Sequence, residues 1–438
     1  MILVILDGLG DERNPKLDGK TPLEYISKEL KTLNRMASEG YLGMVSIVGY
    51  GIPPSSDMGH LAIFGYDLEK DYPGRGYFEA IGMGLKLEKG DVAFRTNFAT
   101  VRKEGNKLII VDRRAGRISG KDAEVLAKDL SEEFKRRGLP VEFIHTVEHR
   151  GVLVIKSDGK KLSNKITDTD PHEIGAPVLK SLPYEGLSGE ELEAAKRTAE
   201  ILNEALKVSY EFLDSHPLNK EREEKGLLKA NVILARGAGI IKDLTPFKEK
   251  WGVDGAFVAG GPLYKGVARA IGLKEIHVEG ATGTVKTNLK GKVEGTIKAL
   301  DEGYEFVFLH IKGTDTLSHD KKAKEKAEFI KKIDEALAPL LELENVVIAV
   351  TGDHSTSSLR GHHIGLPVPI VFWTDGQKPF KQRAFDEATC SATGELRIFG
   401  KDILPLLLDF ANRTMELGFR PSPKPVFYTG FFSPPLEL

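Results

Sequence analysis

The chain has 438 residues, of which 41% are hydrophobic and 29% are charged. This composition excludes a disordered chain, a collagen and a disulfide-rich scaffold, and the length predicts two or three domains. The 62 Lys and Arg residues against 64 Asp and Glu give a net charge of −2, without the basic surplus of a general nucleic-acid binder.

The cysteine content and the apolar runs predict the location of the protein. Cys390 is the single cysteine, so no intramolecular disulfide can form and we expect a reducing, cytoplasmic setting. The apolar run at 2–6 is too short for a signal peptide, and no run of about 18 apolar residues predicts a membrane span. Scarce glutamine beside abundant Lys and Glu is typical of a thermophilic source. We therefore expect neither a membrane partner nor a nucleic-acid partner, and the sequence leaves a homo-oligomer open.

The first part of the chain predicts a short α/β segment. Residues 2–6 form an apolar run typical of a buried strand, and residues 23–40 have helical spacing that ends at a glycine. Residues 44–48 predict a second strand. Two glycines and two prolines at 49–54 disfavour regular structure before a helix predicted at 60–65.

The middle of the chain has strands with a clearer alternation of apolar and polar residues. Strands are predicted at 92–100, 107–112, 141–146 and 151–155, with helices at 123–136 and 188–205. The charge run at 220–225 is interpreted as a solvated linker or a helix start. This part therefore predicts a separate α+β domain.

The last part returns to short apolar strands that alternate with helices. Its strands are predicted at 256–258, 306–311, 346–350 and 369–373, and its helices at 263–271, 321–338 and 403–412. Such alternation predicts a mostly parallel α/β sheet flanked by helices. Because the first strand belongs to the same sheet, we predict a discontinuous α/β domain at 1–73 and 246–438, with an inserted domain at 74–245.

Acids and histidines follow three of the predicted strands or lie in a nearby loop. They are Asp7, Asp315, His319, Asp353, His354, His362 and His363. Taken singly, each has a structural explanation as a turn, a helix cap or a polar loop. Because ligands gather at the carboxyl ends of parallel strands, we expect these side chains to meet. Mixed carboxylate and imidazole donors suit Zn²⁺ or Mn²⁺, and the set exceeds the needs of one tetrahedral ion, so two ions about 3.5–4 Å apart are predicted.

Ser55 and Ser56 are candidate nucleophiles at the start of a helix. Backbone N–H groups at a helix start stabilise negative oxygen, and a divalent ion would activate the hydroxyl. The alternative is that one of these serines only caps the helix.

Basic residues in two places are candidate anion binders. In the inserted domain they are Arg95, Arg113, Arg114, Arg117, Arg150 and Arg236, whose guanidinium groups could recognise a carboxylate or a phosphate. The alternative for the dense run at 112–117 is a solvated loop. Lys265 follows a Gly-rich strand-to-helix turn that could hold a phosphate. Residues 168–172 form a polar turn that could either contact the substrate or have only a structural role as a turn.

Five motifs together identify a family. They are ILDG at 5–8, PSSDMGHL at 54–61, GTDTLSH at 313–319, TGDH at 351–354 and HIGLPVP at 363–369. On these motifs the whole chain resembles the archaeal-type 2,3-bisphosphoglycerate-independent phosphoglycerate mutases of the alkaline phosphatase superfamily. The resemblance implies an alkaline-phosphatase-like α/β fold with an inserted α+β domain that binds substrate.

The resemblance also implies the ligands of two divalent ions. One ion would be bound by Asp7, Ser56, Asp353 and His354, and the other by Asp315, His319 and His363. Mn²⁺ is favoured, with Co²⁺, Zn²⁺ or Mg²⁺ as alternatives, and 2,3-bisphosphoglycerate is not required. Ser56 would be the nucleophile, with Ser55 as the alternative. His363 is favoured over His362 because it stands four residues before Pro367.

The implied reaction interconverts 3-phosphoglycerate and 2-phosphoglycerate by two phosphoryl transfers through phosphoserine. Glycerate must be held by its carboxylate and kept from water between the transfers. We expect arginines of the inserted domain to hold it, whereas Lys265 matches the family's phosphate-contacting lysine only loosely. Asp112 is our hypothesis for the acid and base that serves the glycerate hydroxyls, because it lies in the Arg-rich loop.

Two alternatives remain at this level. The chain could be a metal-dependent phosphatase or phosphotransferase of the same superfamily that acts on another small phosphorylated metabolite. It could also bind metal or anions without catalysis, which would require a ligand or the nucleophile to be missing, and none is missing here.

Overall fold

The computed structural model describes residues 1–379, 381–424, 427–430 and 432–437. The chain divides into two compact units, one of residues 1–72 and 244–438 and the other of residues 73–243. We call them the discontinuous unit and the inserted unit. Within the described residues, none of the helices combines the length and apolar character needed to cross a bilayer.

The strands found in the described residues are β1 (Ile2–Leu6), β2 (Tyr41–Ser46), β3 (Val92–Glu104), β4 (Lys107–Asp112), β5 (Val141–His145), β6 (Arg150–Ile155), β7 (Val232–Ile240), β8 (Gly255–Val258), β9 (Lys274–Glu275), β10 (Phe306–Ile311), β11 (Val347–Thr351), β12 (Ser355–Thr356), β13 (His363–Ile364), β14 (Val368–Thr374) and β15 (Leu396–Phe399).

The α-helices found in the same residues are α1 (Pro22–Ile26), α2 (Thr32–Glu39), α3 (Ser56–Ile63), α4 (Leu68–Asp71), α5 (Arg75–Gly82), α6 (Gly120–Arg136), α7 (Gly189–Asp214), α8 (Pro217–Glu224), α9 (Phe247–Trp251), α10 (Pro262–Ala270), α11 (Leu289–Asp301), α12 (Gly313–His319), α13 (Ala323–Leu337), α14 (Glu387–Thr393) and α15 (Ile403–Phe410).

The described residues of the discontinuous unit form an eight-stranded sheet in the order β15-β2-β14-β11-β1-β10-β8-β9. Neighbouring strands are parallel except at β14, which is antiparallel to both of its neighbours. All residues of β1, β10 and β11 are buried, which explains their nearly unbroken apolar runs. The prediction of a mostly parallel α/β sheet is confirmed.

The register of the three central strands positions the site. Leu6 at the end of β1 pairs with Ile311 at the end of β10, and Ile5 pairs with Thr351 at the end of β11. The carboxyl ends of these strands therefore lie side by side at one edge of the sheet, and the loops that follow them start from that edge.

The single helix predicted at 23–40 is wrong. The segment forms α1, a 3₁₀ turn at Ser27–Glu29 and α2, separated by the extended residue Leu30. The carboxylate of Asp334 accepts the backbone N–H groups of Lys31 and Thr32 at 2.8 and 3.2 Å, and that of Leu33 at 2.7 Å. A distant side chain therefore starts a new helix where local spacing predicts continuity.

The inserted unit is an antiparallel sheet covered by helices. Strand β3 is 13 residues long and pairs with β4, β6 and β7, while β5 pairs with β6. Phe94, Leu126, Leu153 and Leu202 are among the fully buried residues that join this sheet to α6 and α7. Strand β7 was not predicted, and α7 extends nine residues beyond its predicted end at 205. The charge run at 220–225, interpreted as a linker or a helix start, lies mostly within α8.

Candidate active site

Asp7, Asp353 and His354 form the first cluster at this edge of the sheet, and all three are fully buried. The Nε2 atom of His354 lies 3.4 Å from Oδ1 of Asp7 and 3.2 Å from Oδ2 of Asp353. The Gly8 N–H donates to Oδ1 of Asp353 at 3.0 Å and so orients that carboxylate. The three ligand atoms lie within 4.8 Å of one another, a spacing that suits one cation.

A second cluster forms around Asp315. Its Oδ1 atom lies 3.3 Å from Nε2 of His319 and 3.5 Å from Nε2 of His363, and these two nitrogens are 3.3 Å apart. The rings of His354 and His363 stack with centroids 3.7 Å apart. One ligand atom from each of Asp315, His354 and His363 lies within 4.8 Å of the other two, so His354 is close enough to take part in either cluster. The two clusters are therefore contiguous.

Backbone carbonyls orient two of these imidazoles. Nδ1 of His319 lies 2.8 Å from the Gly361 carbonyl oxygen, and Nδ1 of His363 lies 2.8 Å from that of Pro54. Each contact favours a proton on Nδ1 and leaves Nε2 as the ligand atom. His362 instead contacts the His363 carbonyl oxygen through Nδ1 and is exposed. The structure thus brings His363, rather than His362, into the cluster.

The donor set fits a divalent cation. Within the described residues, Oδ1 of Asp7 and Oδ2 of Asp353 are buried oxygens with no assigned hydrogen bond, and imidazole nitrogens lie 3.2 to 3.4 Å from them. A buried carboxylate oxygen without a donor is destabilising, and a cation removes that cost. Carboxylate and imidazole ligands together are typical of Mn²⁺, Co²⁺ and Zn²⁺ sites.

The acids of the site are held in their ionised form. Burial opposes the charge of Asp315, but Lys312 and His319 hold the pKa of its carboxyl well below its ordinary value. Burial opposes the charge of Asp353 as well, and His354 holds the pKa of that carboxyl well below its usual range. Burial also opposes the cationic form of His354, but Asp353 and Asp7 raise its pKa to about 9. A cation that binds here would therefore displace a proton from His354.

Ser56 is the first residue of α3 and is buried beside the first cluster. Its Oγ atom lies 3.2 Å from Nε2 of His354. Nδ1 of His60 contacts the Ser56 carbonyl oxygen at 2.6 Å and lies 3.3 Å from Oδ2 of Asp353. The Ser55 side chain makes no capping hydrogen bond to any described residue, so capping does not account for it.

Sequence reasoning missed three side chains of the site: Lys312, Thr356 and His310. The Lys312 ammonium lies 2.8 Å from Oδ2 of Asp315 and 3.6 Å from Oδ2 of Asp7. The Thr356 hydroxyl donates to Oδ1 of Asp315 at 3.0 Å, and Nε2 of His310 lies 3.1 Å from Oδ2 of Asp7. Two of these residues could have been found from their closeness to the motifs in the sequence. Lys312 directly precedes the motif at 313–319, and Thr356 follows the motif at 351–354 by two residues.

Lys265 lies on α10, next to Tyr264, whose ring stacks on that of His310 with centroids 3.6 Å apart. Its ammonium forms an ion pair with Glu275 at 2.8 Å. Within the described residues it has no ion pair with the acids of the two clusters. The phosphate contact expected of Lys265 stays a prediction, and in the structure its ammonium is paired with Glu275.

The inserted unit has its own cluster of basic residues. The Nε atoms of Arg75 and Arg95 lie 3.4 and 3.5 Å from Oε1 of Glu79. Arg95 on β3 pairs in register with Arg236 on β7, and Arg150 enters the same sheet on β6. The sheet thus brings together three of the arginines that were predicted to bind an anion.

Five buried polar atoms in this sheet or beside it make no hydrogen bond to a described residue, although Nε of Arg95 keeps its 3.5 Å contact with Glu79. They are Nε of Arg95, Oγ1 of Thr96, Oδ1 of Asn97, Nδ1 of His149 and Nε of Arg150. Burial and the charge of Arg75 lower the pKa of Arg95 well below its ordinary value, and they lower that of Arg236 to about 10. Buried positive charge in excess of its partners is typical of an anion-binding site.

The remaining predicted arginines are placed differently. Arg113 donates from Nε and Nη2 to the two carboxylate oxygens of Asp170 at 2.9 and 2.7 Å. Two of the N–H donors of Arg113 are therefore used by Asp170 rather than left for a ligand. Arg114 and Arg117 are exposed on the loop that follows β4.

Two carboxyl groups of the inserted unit differ in their surroundings. Oδ1 of Asp112 accepts the backbone N–H groups of Arg114 and Gly116 at 2.7 and 3.0 Å, which is the geometry of a turn cap. Oδ1 of Asp168 accepts the Gly237 N–H at 2.8 Å, yet desolvation raises the pKa of this carboxyl above its ordinary value. A raised carboxyl pKa in a desolvated setting is the kind of tuning that favours a general acid or base, which makes Asp168 a candidate for proton exchange.

Comparisons with known proteins agree on one family. Residues 37–219 match the family model described as 2,3-bisphosphoglycerate-independent phosphoglycerate mutase. The chain is 43% identical over 422 residues to 2,3-bisphosphoglycerate-independent phosphoglycerate mutase 1 of Methanocaldococcus jannaschii, covering 95% of this chain and 98% of that protein. It is 44% identical over 423 residues to the mutase of Thermococcus kodakarensis, with the same coverage of 95% and 98%.

Two solved structures are similar along nearly the whole chain. A protein from Pyrococcus horikoshii is 35% identical, with a TM-score of 0.78 over 95% of this chain and 98% of that chain. A cofactor-independent phosphoglycerate mutase from Thermoplasma acidophilum is 36% identical, with a TM-score of 0.62 over 94% of this chain and 99% of that chain.

Proposed function

The chain belongs to the 2,3-bisphosphoglycerate-independent phosphoglycerate mutase family, and on that premise we propose that it interconverts 3-phosphoglycerate and 2-phosphoglycerate through a phosphoserine at Ser56. The family resemblance drawn from the motifs is confirmed, and the enzyme is an isomerase. The observation that carries the proposed mechanism is the Ser56 hydroxyl, 3.2 Å from His354 at the edge where the buried acids converge.

We propose that two divalent ions bind at the contiguous clusters, with Mn²⁺ favoured. Asp7, Asp353 and His354 would hold one ion beside Ser56, and Asp315, His319 and His363 would hold the other. When bound, such ions lower the pKa of a serine hydroxyl and neutralise charge on phosphoryl oxygens. The orphaned oxygens of Asp7 and Asp353 support this assignment.

The two transfers balance in bonds and protons. In the first, Oγ of Ser56 forms a bond to phosphorus as the bond to the 3-oxygen of the substrate breaks, and that oxygen gains the proton that Ser56 loses. In the second, the 2-hydroxyl of glycerate forms a bond to phosphorus as the Ser56 ester breaks, and the proton returns to Ser56. We propose Asp168 as the group that exchanges the glycerate protons, with Asp112 as the alternative from the sequence.

The inserted unit is proposed to bind the glycerate carboxylate. Arg95, Arg150 and Arg236 supply positive charge, and the buried Nε of Arg150, which donates no hydrogen bond to a described residue, supports an anion as its partner. An arginine recognises a carboxylate through paired N–H donors, which would hold glycerate while its two hydroxyls exchange places. Because a single cysteine allows no intramolecular disulfide, we also propose that the enzyme works in the reducing cytoplasm.

Product analysis tests this function directly. The enzyme is incubated with 3-phosphoglycerate and Mn²⁺, without 2,3-bisphosphoglycerate, and phosphorus NMR follows the products beside an EDTA control. We expect 2-phosphoglycerate, and we expect EDTA to stop its formation. If inorganic phosphate is the only product, water is the acceptor and the phosphatase alternative replaces the mutase.

A further inference from the structure

Lys312 places a positive charge between acids that the two proposed ion sites use separately. Its ammonium lies 2.8 Å from Oδ2 of Asp315 and 3.6 Å from Oδ2 of Asp7. The side chain is 20% exposed, whereas those of Asp7 and Asp315 are 0% and 4% exposed, so solvent screens these contacts only weakly. The residue lies between the end of β10 and the start of α12.

The surroundings of Lys312 leave the acids as its ionic partners. Its ammonium lies over the ring of Tyr264, with Nζ 5.3 Å from the ring centroid. Within the described residues, its ion pairs are those with Asp7 and Asp315. A divalent ion bound by either carboxylate must therefore share that group with an ammonium, and the two positive charges repel at short range.

We propose that Lys312 is a resident counter-ion that competes with divalent ions for Asp315 and Asp7 and supplies the positive charge that balances the transferring phosphoryl group. This inference rests on the proposed two-ion phosphoryl transfer. Lys312 acts on the ions through the two carboxylates, and it acts on the phosphoryl group through its own charge.

The balance of charges in the site supports the proposed role of Lys312 toward the phosphoryl group. The carboxylates of Asp7, Asp315 and Asp353 carry three negative charges against the four positive charges of two divalent ions. Lys312 raises the surplus from one positive charge to two. A phosphoserine at Ser56 carries about 1.5 to 2 negative charges near neutral pH, which this surplus neutralises.

The experiment measures Mn²⁺ binding by the metal-depleted enzyme, from the electron paramagnetic resonance signal of free Mn²⁺. Wild type is compared with Lys312→Met and with the charge-retaining Lys312→Arg. Lys290→Met is the matched control, because that lysine is 86% exposed on α11. We expect Lys312→Met to bind Mn²⁺ about tenfold more tightly than wild type, and Lys312→Arg to stay within about twofold of it.

Turnover supplies the second readout. At saturating Mn²⁺, Lys312→Met should lower kcat/KM for 3-phosphoglycerate by about a hundredfold, because one balancing charge is lost. Tighter metal binding joined to slower turnover is a combination that a damaged fold does not produce. Should the Met variant fail to fold, Lys312→Gln removes the charge while keeping a polar end, and the same two signs are expected.

The outcomes separate this inference from the function on which it rests. If wild type binds no Mn²⁺, the proposed metal site itself fails. If wild type binds Mn²⁺ and a folded, uncharged Lys312 variant binds it equally or more weakly, competition by Lys312 is refuted. If that variant binds Mn²⁺ more tightly but keeps wild-type kcat/KM, its role in balancing the phosphoryl charge is refuted.

Discussion

The Oγ atom of Ser56 lies 3.2 Å from Nε2 of His354, although 298 positions separate the two residues in the chain. Helix α3 begins at Ser56, and His354 lies just beyond the end of β11. The contact therefore joins a candidate nucleophile to the cluster of acids and imidazoles, and the first prediction tests what it does.

Ser56→Ala should abolish mutase turnover, with a loss of at least about a thousandfold, because the attacking oxygen is removed. The fold should persist, since the change deletes one hydroxyl. The measurement is turnover of 3-phosphoglycerate beside a thermal unfolding curve. Ser55→Ala is the matched control and should stay near wild type, while substantial turnover by Ser56→Ala would refute the nucleophile.

His363→Ala should weaken Mn²⁺ binding by about a hundredfold, because it removes one ligand from the cluster around Asp315. His362→Ala provides a neighbouring control, since its ring is exposed and contacts the backbone of His363. Titration with Mn²⁺ and recovery of activity after EDTA treatment measure the difference. If His363→Ala binds Mn²⁺ as tightly as wild type, the assignment of His363 as a ligand is refuted.

Asp168→Asn should lower kcat by about a hundredfold if this carboxyl exchanges the glycerate protons. Asp112→Asn should remain close to wild type, because the Asn oxygen can still accept the N–H groups of Arg114 and Gly116. The kcat of each variant against pH is the measurement. The reverse ranking would return the acid and base role to Asp112.

Lys326→Met should destabilise the discontinuous unit by about 3–5 kcal/mol, because it leaves the buried Asp11 carboxylate without its cation. The Lys326 ammonium also donates to the Gly8 carbonyl oxygen at 2.8 Å, and this hydrogen bond stabilises the loop after β1. Urea unfolding measures the loss, with Lys290→Met as the exposed control. Adding Asp11→Asn to Lys326→Met should recover part of the stability, and no recovery would argue against an unpaired charge as the cause.

Glu387 should make stability depend on pH. Burial raises the pKa of this carboxyl from 4.5 to about 8, while it accepts the Thr21 hydroxyl at 2.7 Å. Between these two values the unfolded chain is ionised there and the folded protein keeps its proton. The free energy of unfolding should therefore fall as pH rises from about 4.5 to about 8, and this contribution should then level off.

Glu387→Gln should remove that contribution, because the amide does not titrate. Urea unfolding across the same pH range should show a flatter profile in the variant, by on the order of a few kcal/mol. Parallel profiles for wild type and variant would assign the pH dependence to other groups.

Local sequence predicted the elements whose residues are all buried. Strands β1 and β10 have the predicted bounds, because a parallel strand covered on both faces is an apolar run with clear ends. Local spacing failed at 23–40, where the cap comes from Asp334, some 300 positions away. It also missed β7, where Gly237 and Gly239 weaken the apolar pattern and pairing with β3 completes the strand.

The sequence by itself determined the α/β class, the family and the types of side chain that follow the central strands, since motifs and strand ends are local features. Only the tertiary structure decided which of these side chains meet. It paired Lys265 with Glu275 and Arg113 with Asp170, and it placed Lys312 between Asp7 and Asp315. These pairings depend on sheet order and on the course of loops far apart in the chain, and no local pattern encodes such distances.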